Sequence, residues 1–134
     1  MRGKTLESNK QNRPISPHLT IYRPQFTSVL SILHRITGLG LLLGLLLVAL
    51  WFLAVSLGES YFIFYSEIML SWPVKLVLIA SAWAIWYHTC AGIRHLFWDM
   101  GIGLETKYIN ISAWAVLVLS AFLFSITLFF SWDV

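Results

Sequence analysis

Charge and cysteine are what this sequence has least of. Charged residues make up 11% of its 134 positions, with only six Asp and Glu. That is too few to wet a soluble surface or to keep a chain disordered by self-repulsion. A single cysteine, Cys90, excludes an internal disulfide framework. It equally excludes an iron–sulfur cluster held by this chain alone, which would need about four thiolates. Cys90 falls in an apolar run and reads as packing. The length leaves no room for a flavin- or nucleotide-binding domain beside a membrane domain. What the chain does have is hydrophobicity: 58% of its residues are apolar and the mean hydropathy is +0.76. The composition predicts an all-α membrane protein whose chemistry must fit between helices.

A net charge of +3 and a pI near 9.3 do not indicate nucleic acid binding, because of where the charge lies. Five of the nine basic residues, Arg2, Lys4, Lys10, Arg13 and Arg23, precede the first apolar run. That placement is a topology signal. Three uncharged stretches, from Ile36 to Gly58, Leu76 to Ile93 and Tyr108 to Trp132, can each cross a hydrocarbon core of about 30 Å. They predict an N-terminal cytoplasmic or matrix-side segment, residues 1–29, and a three-helix domain, residues 30–134, with spans near 30–58, 72–98 and 108–132. The first thirty residues resemble neither a signal peptide nor a transit peptide and are expected in the mature protein. Lys75 and Arg94 are expected to snorkel from the ends of the second span, and Ser71 to cap it ahead of Pro73. Tyr61, Tyr65, Trp72 and Trp132 predict an outer aromatic belt, Trp98 and Tyr108 an inner one. Counting Lys and Arg puts the N-terminus inside and the C-terminus outside. Gly40 and Gly44 match the small-xxx-small spacing of close helix contacts, a match also common by chance.

Polar residues inside spans are expensive and therefore candidates for function. Ser31, His34, Arg35 and Gly38 fall on one face of the first helix. They read either as a hydroxyl, an imidazole and a cation aimed at a carbonyl oxygen or carboxylate, or as a helix start that caps with Ser31 and snorkels Arg35. His88 and His95, seven residues apart, share a stripe with Ser81, Ala84 and Gly92. A stripe of small residues around a histidine predicts a flat slot able to take a porphyrin, and equally fits histidines that only satisfy hydrogen bonds. The two histidines are about 10 Å apart along the axis, too far to share one iron. Arg94 points to another face, and Asp99 is within i,i+4 reach of His95.

In combination these residues resemble the cytochrome b membrane anchors of succinate dehydrogenase, respiratory complex II, and specifically the larger anchor chain. The matching pieces are Arg13-Pro14-Ile15-Ser16-Pro17-His18-Leu19 with Ile21-Tyr22, then Ser31 to Arg35, then His88 with Gly92-Ile93-Arg94-His95 and Asp99. The resemblance implies that His88 is an axial ligand of haem b iron, the opposite ligand coming from the smaller anchor subunit. It implies that Ser31 and Arg35 line a ubiquinone site and that His34 and His95 reach the haem propionates. It assigns no chemical role to His18.

The same resemblance implies partners: a flavoprotein subunit with FAD, an iron–sulfur subunit and a second small anchor, with membrane lipid around them and no nucleic acid. Electrons from succinate would reach quinone through iron–sulfur clusters, so this chain would serve an enzyme without oxidising succinate itself. The expected location is the bacterial inner membrane, multi-pass with the N-terminus cytoplasmic, or alternatively the mitochondrial inner membrane. Two other readings stay open at this point: a quinol:fumarate reductase anchor, and a non-catalytic scaffold or assembly subunit.

Overall fold

The computed structural model describes residues 23–131. The Arg13 to Tyr22 match, His18 and Trp132 therefore lie outside the described residues. Four helices follow one another: α1 (Phe26–Leu57), α2 (Glu59–Leu70), α3 (Trp72–Asp99) and α4 (Thr106–Ser131). Three of them, α1, α3 and α4, are long and apolar enough to cross a membrane. Helices satisfy their own backbone groups, which is what a span without water requires. The first begins at Phe26 rather than near residue 30.

The connection between the first two spans is itself a helix. Gly58, at φ +111°, ends α1 and starts α2, because only a residue without Cβ adopts that backbone readily. Tyr65 then bonds the Leu47 carbonyl at 3.0 Å and ties α2 to α1. Ser71 precedes α3, but its hydroxyl does not cap that helix. It donates instead to the Ile68 carbonyl at 2.6 Å and closes α2, because the preceding turn is nearer than the following one. At the other end of α3, Gly101 (φ +75°) forms a Schellman close: its N–H bonds Trp98 and the Ile102 N–H bonds Phe97.

Helix α3 lies between α1 and α4. Its buried residues, Ala84, Tyr87, Cys90, Ala91 and Arg94, face both neighbours. With Leu30 from α1 and Ala113 and Val116 from α4, they form the core, and Cys90 is packed there as expected. Small residues let the backbones approach. A Cβ on Gly44 would lie 2.6 Å from Ser81 Oγ, so this glycine is needed at the α1–α3 crossing, whereas one on Gly40 would meet nothing. Half of the small-xxx-small match is thus a contact. Leucines such as Leu39, Leu42 and Leu45 remain outward, as lipid-facing residues do.

Candidate functional site

The start of α1 and the end of α3 bring three histidines together. The His34 and His88 rings stack with centroids 4.0 Å apart and planes 13° apart. His95 stands 5.2 Å from His34, tilted by 45°, and meets Trp98 edge-on. The sequence placed these residues on two helices, and the antiparallel packing of α1 on α3 makes them one cluster.

His88 is the most constrained of the three. Its Nδ1 lies 3.1 Å from the His34 carbonyl oxygen and 3.3 Å from Thr37 Oγ1. A carbonyl can only accept, so Nδ1 donates here, which is the tautomer of the neutral ring that leaves the Nε2 lone pair free. Thr37, buried at the same crossing, donates its own hydroxyl to the His34 carbonyl at 2.9 Å. Gly38 abuts the ring: a Cβ there would lie 2.9 Å from His88 Cε1, closer than side chains tolerate. Tyr87, next along α3 and fully buried, donates to the Leu30 carbonyl at 2.9 Å and fixes the register of the two helices.

This arrangement suits a metal-ligating imidazole. Such a ring typically donates its second nitrogen to a carbonyl or carboxylate, which sets tautomer and orientation. Among the described residues nothing bonds His88 Nε2. Stacking by His34 covers a ring face, whereas a metal binds along the in-plane lone pair. Two rings stacked face to face cannot flank one iron, so His34 is not the opposite ligand. No group of three or more His, Cys, Asp or Glu among the described residues is placed to hold a bare metal ion. His34 Nδ1 is buried without a hydrogen-bond partner among the described residues. An orphaned polar atom beside a free imidazole nitrogen fits a group that brings both a metal and hydrogen-bonding substituents.

Two expectations change. The stripe of Ser81, Ala84 and Gly92 is not one continuous open slot: at one end Ser81 meets Gly44 of α1, and at the other a Cβ on Gly92 would come within 4.0 Å of His34 Cε1, an ordinary contact. The tight glycine is Gly38, which the sequence grouped with the Ser31 face. Arg94 does not snorkel either. It is buried, with Nε donating to Ser112 Oγ and Nη2 to the Ile109 carbonyl, both at 2.9 Å, and its guanidinium lies 4.0 Å over the Trp98 ring. A buried cation is held this way when neighbouring backbone and ring faces replace its water. Asp99 is exposed and makes no ion pair with His95.

Ser31 and Arg35 lie near the same end of α1, one turn apart. Ser31 is half-buried and Arg35 is exposed, and neither makes a side-chain bond among the described residues. The structure does not bring them against the three rings. Thr37 and Gly38 were not picked out for what they do to His88, although their one-turn spacing from His34 was a readable signal.

Comparisons with known proteins agree with this layout. The family model described as Succinate dehydrogenase/Fumarate reductase transmembrane subunit matches residues 9–127. The chain is 42% identical to a succinate dehydrogenase cytochrome b556 subunit of Rickettsia bellii (strain RML369-C), over 93% of this chain and 97% of that protein. It is 40% identical to the cytochrome b556 subunit of Paracoccus denitrificans, covering 90% and 92%. Similarity extends to the cytochrome b560 subunit of Marchantia polymorpha, at 40% identity over 85% and 87%.

Proposed function

This chain belongs to the succinate dehydrogenase/fumarate reductase transmembrane-subunit family, and from that premise we propose that it is the anchor of a succinate:quinone oxidoreductase that supplies one haem ligand and part of the quinone site. The observation that carries the reading is His88: a ring held by the His34 carbonyl and cradled by Gly38, with Nε2 unbonded among the described residues. His88 Nε2 would ligate the iron of haem b, and the smaller anchor subunit would supply the opposite ligand. When bound, haem b supplies one-electron redox chemistry inside the membrane. His34 Nδ1, without a partner among the described residues, and His95 would bond the haem propionates.

Ser31 and Arg35 would hold the quinone. Quinone reduction builds negative charge on a carbonyl oxygen, and a hydroxyl donor with a nearby guanidinium favours that charge over the neutral ground state. Arg35 suits the role because it is a cation without an ion-pair partner among the described residues. Its position near the start of α1 puts it at the end of the bundle where an iron–sulfur subunit would deliver electrons. FAD and the iron–sulfur clusters would be carried by the partner subunits. We place the N-terminus on the cytoplasmic face of a bacterial inner membrane, or the matrix face of a mitochondrial one, because Arg23, Arg94 and Lys107 gather at that end of the helices. The relatives are succinate dehydrogenase subunits, which favours succinate oxidation over the reverse direction.

An absorption spectrum tests the reading against a non-catalytic scaffold. Complex purified through this chain in mild detergent should contain a flavoprotein, an iron–sulfur protein and a second small anchor, and should show reduced b-type haem bands. A flat spectrum from the intact assembly overturns the haem assignment.

A further inference from the structure

A second feature of the bundle lies on the opposite side of α3 from the histidines. Between the end of α3 and the start of α4 runs an apolar groove of about 370 Å³, with Arg94, Trp98 and Gly103 towards the loop and Ala115 and Leu119 towards the membrane interior. Its α3 wall runs from Cys90 to Trp98, about 12 Å along the axis. The lining is almost wholly apolar and the groove opens at the protein surface, so an extended hydrocarbon chain can lie along it. At the level of Arg94, roughly 8 Å below the end of α3, the wall carries a guanidinium that no carboxylate among the described residues pairs. Asp99, at the end of α3, and Glu105, in the following loop, are exposed and form no ion pair with it. Two of its nitrogens, Nε and Nη2, are occupied by Ser112 and the Ile109 carbonyl, while Nη1 bonds no described residue.

We infer that this groove is a binding site for an anionic phospholipid, with one acyl chain along Ala115 and Leu119 and the headgroup phosphate on Arg94. Basic pockets between transmembrane helices on the cytoplasmic or matrix side take such headgroups, because a buried cation gains more from a phosphate than from water it can barely reach. A guanidinium without a carboxylate partner among the described residues favours an anionic lipid over a neutral one and over the apolar face of a partner helix. The site does not depend on the haem reading, since no residue of the histidine cluster lines it.

The test uses the assembled complex in nanodiscs of phosphatidylcholine with a minor share of phosphatidylglycerol, followed by native mass spectrometry of the retained lipid. Wild type should keep phosphatidylglycerol in preference to phosphatidylcholine. Ala115→Phe fills the groove from an exposed position, and Arg94→Gln removes the charge; each should lower phosphatidylglycerol retention about tenfold, the effect of losing a charge-assisted contact or its chain site. Arg94→Lys should retain an intermediate amount, because the charge survives without the fork. Should Arg94→Gln fail to assemble, Ala115→Phe still decides the matter. Unchanged retention in Ala115→Phe overturns the site, as does equal retention of the two lipids. So does a photocrosslinker at Ile111, on the groove wall, that captures a partner subunit or quinone instead of phospholipid.

Discussion

Against α4, helix α3 meets most of its polar groups from the neighbouring helix: Arg94 Nε and Nη2 donate to Ser112 and the Ile109 carbonyl, leaving Nη1 towards the groove, and Trp86 Nε1 donates to Thr127 Oγ1 at 2.8 Å. Against α1, the same helix makes close contacts at Gly38 and Gly44 yet leaves His34 Nδ1 orphaned and His88 Nε2 without a partner among the described residues. Both seams bury apolar surface, so packing does not distinguish them. Unmet polar capacity does. In hydrocarbon an unsatisfied donor or acceptor costs on the order of several kcal/mol, so a seam that keeps such atoms is shaped for something the chain does not itself contain. On the proposed function, the α3–α4 seam holds the subunit together, and the α1–α3 seam with the adjoining start of α1 would carry the haem ligand and the quinone site.

The contrast can be broken hardest at the start of α1. Arg35→Ala should lower the ratio of quinone-linked to artificial-acceptor succinate oxidation about a hundredfold, because a cation facing developing charge is removed. Arg35→Lys should fall between it and wild type, and Ser31→Ala should cost about tenfold, one neutral hydrogen bond. Wild-type ratios in both alanine variants would make this face a capped, snorkelling helix start.

A smaller effect is expected at the crossing itself. Gly38→Ala places a methyl 2.9 Å from His88 Cε1 and must turn the ring or part the helices, an overpacking cost of about 1–3 kcal/mol. Haem content, measured by pyridine haemochrome against protein, should fall severalfold. Gly92→Ala, whose new atom would meet only His34 Cε1 at 4.0 Å, should leave haem content at the wild-type value. If the two glycine variants behave alike, the cradle assigned to Gly38 is wrong.

The smallest effect belongs to the α3–α4 seam, away from the histidines. Trp86→Phe loses the bond to Thr127 and part of the ring's packing at a half-buried position and should lower stability by about 1–2 kcal/mol, seen as a shift of a few degrees in the thermal unfolding of the complex. The haem spectrum should not change. A lost haem signal in this variant would mean that the two seams are not independent.

Much of this was legible in the residues. Uncharged stretches longer than a membrane core gave α1, α3 and α4, because hydrocarbon forces any such run to satisfy its own backbone. His34, His88 and His95 were identifiable as costly intramembrane side chains, although their meeting required the antiparallel register set by Tyr87 on Leu30 and by Ser81 on Gly44. Helical periodicity assigns a face but not a neighbour, which is why Gly92 was expected to line a slot and Gly38 was not expected to touch His88. Arg94 misled for a similar reason. At the end of an apolar run a cation snorkels unless an adjacent helix offers a carbonyl and a hydroxyl, and Ile109 and Ser112 are supplied from a different helix. Helix α2 was hidden because Gly58 and Ser71 read equally well as the ends of a loop.

The central claim is that His88 Nε2 is an iron ligand, and low-temperature electron paramagnetic resonance of the oxidised complex tests it most directly. Wild type should give the low-spin signal of iron with both axial positions filled by protein ligands, and His88→Ala, in a complex that still contains all of its subunits, should give a high-spin signal or none. An unchanged low-spin signal in His88→Ala would contradict the account.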